Sequence, residues 1–131
     1  MSEVHRIRLR GPWEVTALTG DPRRMARMTI PCSWKDGGWP GFSGRARHDR
    51  SFGQPRQADP RERVWLVIEG ISGTGTVRLN EHELGAIAGS STIQFDITDL
   101  LDARNRLQIE IVAADDSGGV TGEVALEIRG A

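Results

Sequence analysis

Short runs of alternating apolar and polar residues recur along the chain, whereas helical periodicity is nearly absent. Ile7 and Leu9 alternate with arginines, and Leu107, Ile109 and Ile111 alternate with polar residues in the same way. Because successive side chains of a β-strand point to opposite faces of the sheet, each run predicts a strand with one apolar face. The chain is therefore constrained to an all-β fold.

The spacing of these runs indicates the architecture. The run 64–68 is continuously apolar, which predicts a central strand that is covered on both faces. Gly-rich and Pro-rich turn signals separate eight or nine short strands. We therefore predict a single antiparallel β-sandwich of the jelly-roll type over residues 1–131. The segment 98–102 predicts only a connecting turn of helix, and the weak alternation of 32–63 predicts a long loop.

Length and composition exclude several classes of protein. The 131 residues are enough for one domain with a core that needs no disulfide, and the single Cys cannot form one internally. No apolar run reaches the ~18 residues of a membrane span, and the first residues do not resemble a signal peptide. These features predict a soluble cytoplasmic protein with no membrane partner.

Charge is unevenly distributed along the chain. Residues 1–63 carry a net charge of +6 and residues 64–131 a net charge of −7, and all but one of the 17 basic residues are Arg. Either the arginines form a face for anions, or the two halves interleave and neutralise each other across neighbouring strands. No dense basic run or RNA-binding signature is present, so we expect no nucleic-acid partner.

The motifs of common catalytic and metal sites are missing from the sequence. The three His residues are isolated, the Gly-rich segment 70–75 lacks the Gly-Lys-Ser/Thr end of a phosphate loop, and no Gly-x-Ser-x-Gly occurs. We read 70–75 as a hairpin or bulge turn. No cofactor is expected. A structural calcium ion at Asp115 and Asp116 is left open, although turn formation explains these carboxylates equally well.

One segment has the composition of a sugar-binding surface. A protein binds a sugar ring with an aromatic plane and with charged or amide groups that hydrogen-bond its hydroxyls. The candidate carbohydrate contacts in residues 32–52 are Trp34, Trp39, Arg45, Arg47 and His48. Alternatively, the aromatic residues close one end of the sandwich and the arginines pair with surface acids.

The order of the segments resembles a known module. Four segments are similar to the N-terminal sugar-binding domain of family-two glycoside hydrolases. They are residues 7–15, Ile30-Pro31-Cys32-Ser33-Trp34, Gly44–Phe52 and Arg63–Val112. That family comprises β-galactosidases, β-glucuronidases and β-mannosidases. The resemblance implies a galactose-binding-domain-like jelly roll. His48 departs from it, because the family has Tyr at that place.

The resemblance also implies which functions to compare. The family's catalytic Glu residues lie on a barrel that this sequence does not include, so the chain is expected not to be a glycosidase by itself. One hypothesis is a free-standing, non-catalytic carbohydrate-binding or accessory module. The alternative is a structural or interaction protein without a sugar site, which forms homo-oligomers or docks on a separately encoded glycoside hydrolase.

Overall fold

A computed structural model describes residues 4–20 and 24–130 of the chain. These residues form one turn of 3-10 helix, Thr98–Leu100, and ten β-strands. The strands are β1 (His5–Arg8), β2 (Trp13–Ala17), β3 (Met25–Met28), β4 (Gly44–Gly53), β5 (Arg63–Ile68), β6 (Thr74–Leu79), β7 (His82–Ala88), β8 (Ile93–Asp96), β9 (Arg104–Ala113) and β10 (Val124–Arg129).

The strands form two antiparallel sheets, which confirms the predicted β-sandwich. One sheet has four strands in the order β1-β10-β5-β8, and the other has six in the order β3-β2-β4-β9-β6-β7. The described residues thus hold one or two strands more than the eight or nine expected. Neighbours in space are rarely neighbours in sequence, as is usual for sandwiches whose connections cross between sheets.

The centre of the six-stranded sheet corrects one expectation. Instead of lying in a long loop, Gly44–Gly53 form strand β4, which pairs with β9 over its full length. The sequence pattern did not reveal this strand because its core-facing row is unusual: Ala46, His48 and Phe52 share that row with Arg50. A strand with Ala, His and Arg on its inner side lacks the apolar alternation that identifies strands.

The core lies between the sheets. Fully buried side chains from both sheets meet there, among them Trp13 and Ile109 from the six-stranded sheet and Leu66 and Leu126 from the four-stranded sheet. At ~1.5–3 kcal/mol for each large apolar side chain, this burial is the main stabilising contribution. The prediction for 64–68 holds in part: β5 lies inside its sheet and Leu66 and Val67 are buried, but Trp65 leaves the outer face partly exposed.

Connections between strands differ in kind. The turn Thr98–Leu100 is the predicted connector. Asn80 and Glu81 join β6 to β7 with φ values of 50° and 72°, the left-handed conformation of a tight hairpin. The hairpin interpretation of 70–75 is wrong, because this segment leads from β5 in one sheet to β6 in the other.

Ion pairs join the basic first half of the chain to the acidic second half. Arg6 contacts Glu123 at 3.0 Å, and Arg63 contacts Asp96 at 2.9 Å. These ion pairs agree with the second alternative for the charge distribution, in which the two halves interleave and neutralise each other across neighbouring strands.

None of the helices within 4–20 and 24–130 is long and apolar enough to cross a membrane.

Candidate functional site

Both candidate tryptophans lie inside the protein. Trp34 is fully buried, and Trp39 is 4% exposed. Each packs edge-on against Phe42, with ring centroids 4.7 and 5.0 Å apart. Their ring faces are therefore not available to stack on a sugar. The aromatic residues instead belong to the hydrophobic core, which corrects the sugar-platform interpretation of Trp34 and Trp39.

His48 is also buried, with 1% of its surface exposed. Its Nδ1 lies 3.1 Å from the carbonyl oxygen of Ile109, and its Nε2 lies 3.4 Å from the indole Nε1 of Trp34. Nδ1 donates to the carbonyl, and Nε2 accepts from the indole, which fixes a neutral ring. Burial, only partly opposed by the Ile109 carbonyl and Asp49, lowers the pKa of His48 to about 4. His48 is thus a core residue and does not face a ligand.

The two candidate arginines lie elsewhere. Arg45 and Arg47 alternate with Ala46 and His48 on β4, so they project from the outer side of the six-stranded sheet. We call this outer side the six-strand face. Of the five candidates, the structure therefore brings only Arg45 and Arg47 together on an accessible surface.

A polar network occupies the middle of the six-strand face. Asp49 is 8% exposed, and its carboxylate accepts hydrogen bonds from three side chains. Arg47 Nε donates at 2.9 Å, Gln108 Nε2 at 2.8 Å and Arg106 Nη2 at 3.2 Å. Burial works to raise the pKa of Asp49, but the hydrogen bonds and charges of Arg47, Gln108 and Arg106 outweigh it and lower the pKa. Asp49 is therefore an ionised anchor that orients its neighbours.

A groove of about 540 Å³ lies beside this network on the six-strand face. Its lining comes from the neighbouring strands β4, β9, β6 and β7. The lining includes an ion pair, in which Arg45 Nη1 lies 3.3 Å from Glu110 Oε1. We call it the Arg45 groove, and its lining is Arg45, Thr74, Gly75, Thr76, Ala86, Ile87, Ala88, Glu110 and Val112.

The Arg45 groove exposes both apolar and polar atoms. Val112 is 40% exposed, and Ala86 and Ala88 are also exposed. Register places Thr76 directly opposite Glu110 and Thr74 opposite Val112. Apolar and hydrogen-bonding side chains therefore lie next to each other in the lining of the groove.

Two further depressions continue the surface. A cleft of about 160 Å³ is lined by Arg47, Thr76, Arg78, Gln108 and Glu110, and we call it the Arg47 cleft. A cavity of about 400 Å³, which we call the Arg50 cavity, is lined by Pro12, Glu14, Asp49, Arg50, Ser51 and Arg106. The three depressions share residues with one another or with the Asp49 network, so they follow β4 from Arg45 to Ser51.

The sequence analysis missed most of this surface. It selected residues from 32–52 because of their aromatic and basic composition, whereas β9 and β6 supply Gln108, Glu110, Thr74 and Thr76. The strand alternation around Ile109 contains the signal. Its polar positions form one row, and that row had to face solvent once the apolar row was assigned to the core.

A partly exposed tryptophan lies on the opposite side of the sandwich. Trp65 of β5 is partly exposed on the outer side of the four-stranded sheet. The guanidinium carbon of Arg129 lies 4.7 Å from the centroid of its ring. A cation–π contact therefore already covers one face of this indole.

The acidic residues considered for calcium accept hydrogen bonds from backbone N–H groups. Asp115 accepts from the backbone N–H of Ser117 at 2.9 Å, and Asp116 Oδ2 accepts from the N–H of Gly41 at 2.8 Å. Within the part of the chain that the structure describes, no group of three or more His, Cys, Asp or Glu could hold a metal ion. The Asp115 contact is that of a turn-forming residue, whereas Asp116 holds the distant backbone at Gly41.

Comparisons with known proteins identify the fold. No known family model matches the chain, and no curated protein matches it either. Among solved structures, an FMN-binding β-glucuronidase from Faecalibacterium prausnitzii L2-6 is 24% identical, with a TM-score of 0.82. The β-glucuronidase of Bifidobacterium dentium, solved with coumarin-3-O-glucuronide, is 18% identical, with a TM-score of 0.81. A family-two β-galacturonidase from Eisenbergiella tayi, solved with glycerol, is 16% identical, with a TM-score of 0.77.

These matches concern a part of each enzyme. They cover 95%, 98% and 95% of this chain, but only 22%, 30% and 24% of the respective hydrolases. The chain thus has the fold of one section of family-two hydrolases, as the sequence resemblance predicted.

Proposed function

We propose that this chain, which has the fold of one section of the family-two hydrolases, is a non-catalytic module that binds a glycan in the Arg45 groove. The observation that carries the proposal is the combination of exposed apolar side chains and an ion pair in the lining of that groove. The proposed binding site therefore lies on the six-strand face and not at the buried tryptophans.

The groove matches the chemistry of a sugar ring. Val112 and the alanines of β7 offer apolar contact for C–H groups. Arg45 donates hydrogen bonds to hydroxyl oxygens, Glu110 accepts from hydroxyl protons, and Thr76 can do either. Its volume is within the range of ~300–1,000 Å³ that is usual for small-ligand sites.

The state of the carboxylates supports a role without catalysis. A glycosidase needs one carboxyl group with a raised pKa as general acid, and a second one as base or nucleophile. On the six-strand face, the pKa of Asp49 is lowered by its arginines, and Glu110 is paired with Arg45. The lowered pKa of Asp49 does not favour proton donation to a leaving group.

An NMR titration of the labelled chain tests the proposal. The ligands are cellotetraose, xylotetraose, mannotetraose and tetragalacturonate, the last chosen because one structural neighbour is a β-galacturonidase. We expect at least one of them to shift the amide signals of Val112, Thr76 and Ala86 at millimolar concentration. If none shifts these signals, or if shifts are confined to Trp65 and its surroundings, the proposal is wrong.

A second candidate function is docking within a larger hydrolase. Its support is that the chain corresponds to less than a third of each structural neighbour, so those hydrolases contain further polypeptide beside the matching section. Light scattering after size exclusion, at low and high salt, tests self-association through charge. A monomer at both salt concentrations contradicts that form of the alternative, whereas a salt-sensitive dimer supports it.

A further inference from the structure

We infer that strand β7 pairs antiparallel with β7 of a second copy of this chain, which joins two six-stranded sheets into one. This inference goes beyond the proposed function and does not depend on a glycan. β7 lies at the edge of the six-stranded sheet, and β6 is its one partner among the described strands. Its far side is therefore open to another strand.

Backbone groups of two alanines point to this open edge. The N–H of Gly89 donates to the carbonyl oxygen of Gly73, just before β6, so Gly89 faces β6. Because backbone groups of successive strand residues point to alternate sides, Ile87 also faces β6, whereas Ala86 and Ala88 face away from it. No described loop or side chain hydrogen-bonds these two alanines. The edge therefore presents free donors and free acceptors.

The other three sheet edges differ from β7. The edge strands β1, β3 and β8 have four residues each, whereas β7 has seven. Each of the short strands also carries a charged side chain, such as Arg6, Arg27 or Asp96. Short length and charge are features by which proteins discourage pairing at a sheet edge. β7 has Glu83 near its start, but its segment 85–88 has no charged side chain.

A second copy matches this edge by symmetry. In a twofold antiparallel pairing centred on Ile87, Ala86 of each copy lies opposite Ala88 of the other. Opposite residues of this kind exchange N–H···O=C bonds in both directions, so all the free groups are satisfied. The small alanine side chains let the strands approach. The Glu83 side chains of the two copies lie at opposite ends of the paired segment, which avoids like charges facing each other.

The pairing also places the two Arg45 grooves on one surface. Ala86 and Ala88 line the groove, and both are exposed on the six-strand face. Side chains of directly opposite residues lie on the same face of a sheet. The dimer therefore presents both grooves on the same side, next to the shared edge.

Comparing Ala88→Pro with Gln94→Pro tests the inference. Proline has no N–H, so Ala88→Pro removes a donor from the β7 edge while the bonds to β6 remain. Gln94→Pro makes the same change at the open edge of β8. There Ile97 donates to Val64 of β5, so alternation points the N–H of Gln94 away from β5.

Light scattering after size exclusion, over a dilution series at low and high salt, measures the dimer. A strand-edge interface is small, so we expect a dissociation constant between ~1 µM and ~1 mM. Because backbone hydrogen bonds carry the contact, the constant should change little with salt. Ala88→Pro should raise it by at least about tenfold, and Gln94→Pro should leave it unchanged.

Hydrogen exchange of the unmodified chain provides a second readout that needs no variant. We expect the amides of Ala86 and Ala88 to exchange more slowly in a concentrated sample than in a dilute one, by at least about tenfold. The amide of Ile87 is the internal control. It faces β6 and should be protected in both samples.

Three results overturn the inference. One is a chain that stays monomeric up to ~1 mM, and another is equal exchange of the Ala86 and Ala88 amides at both concentrations. The third is a dimer that persists in folded Ala88→Pro, or that high salt dissociates while these amides stay unprotected, since such a dimer uses another surface. Saccharide titration judges the proposed function separately, so either proposal can fail while the other stands.

Discussion

The indole N–H of Trp34 donates to Nε2 of His48 across 3.4 Å in the interior of the sandwich. This contact joins the aromatic cluster of Trp34, Trp39 and Phe42 to strand β4. It also explains how a histidine can occupy a fully buried position, because the second ring nitrogen donates to the Ile109 carbonyl. The pair therefore belongs to the core, and its effect is on stability.

Acid should destabilise the protein through His48. The pKa of His48 is about 4 in the folded chain and about 6.5 when the residue is exposed, because burial disfavours the charged ring. The stability it contributes is complete above pH ~6.5 and is lost as pH falls toward 4. Urea unfolding at pH 7 and pH 4 should show about 3 kcal/mol lost through this group.

Two variants isolate this contribution. His48→Phe should lower stability at pH 7, since it leaves the Trp34 N–H unpaired, but it should remove this part of the acid dependence. His82→Gln, which changes an exposed histidine, should retain it. An unchanged loss of stability in His48→Phe would show that other groups cause the acid sensitivity.

Asp49 should stabilise the six-strand face as a carboxylate. Replacing it with Asn removes the charge that Arg47 and Arg106 contact, and should cost about 1–3 kcal/mol at neutral pH. Because its pKa is lowered, the contribution is present above pH ~3.8 and is lost as pH falls through the lowered value. Urea unfolding at neutral and low pH measures both effects.

Asp99 provides the matched control. Its carboxylate also contacts an arginine, Arg63 at 3.2 Å, but its side chain is 83% exposed. Asp99→Asn should therefore change stability by less than about 0.5 kcal/mol. Equal effects at positions 49 and 99 would contradict the structural role assigned to Asp49.

Glu81→Gly should stabilise the protein. Glu81 has a φ of 72°, a left-handed conformation that costs an L-residue about 1–2 kcal/mol, whereas glycine adopts it freely. After the greater chain entropy of glycine is subtracted, a gain of about 1 kcal/mol is expected. Thermal and urea unfolding measure it.

Asn80→Gly should have the opposite effect. Asn80 Oδ1 accepts from the N–H of Arg106 at 2.8 Å, and its Nδ2 donates to Leu100 at 3.1 Å. Both bonds are lost with the side chain. Stabilisation by Asn80→Gly, or destabilisation by Glu81→Gly, would show that this turn is not the strained one described.

Iodide should quench the fluorescence of one tryptophan selectively. Trp13 and Trp34 are fully buried and Trp39 nearly so, whereas the ring of Trp65 is partly exposed. Trp65→Phe should remove most of the quenchable emission. Glycan binding should leave the emission of the wild-type chain unchanged, because the Arg45 groove contains no tryptophan. A blue shift on binding would contradict the assignment.

Sequence patterns were sufficient for the fold because apolar alternation reflects burial directly. The rows around Leu66 and Ile109 each match a strand whose apolar side faces the core. Strand β4 escaped detection, since its inner row holds His48 and Arg50. A buried polar residue is tolerated only where the fold supplies partners, and those partners come from distant strands.

The site was only partly predictable for a related reason. Of the predicted candidates, Arg45 and Arg47 lie on a shared surface, but Trp34 and Trp39, which were selected by composition alone, are buried. Whether a tryptophan can stack on a ligand or belongs to the core depends on which other residues cover its ring. That cover comes from residues such as Gly118 and Gly119, whose backbones pack against Trp34.

Blocking the Arg45 groove tests the central claim most directly. Ala86→Trp places a large indole in the lining of the groove. Gln94→Trp adds the same residue at an exposed position of the other sheet. The measurement is the affinity for the tetrasaccharide of the panel that binds the wild-type chain, by calorimetry. The account predicts that Ala86→Trp abolishes binding while Gln94→Trp binds like the wild type. Undiminished binding by folded Ala86→Trp would contradict it.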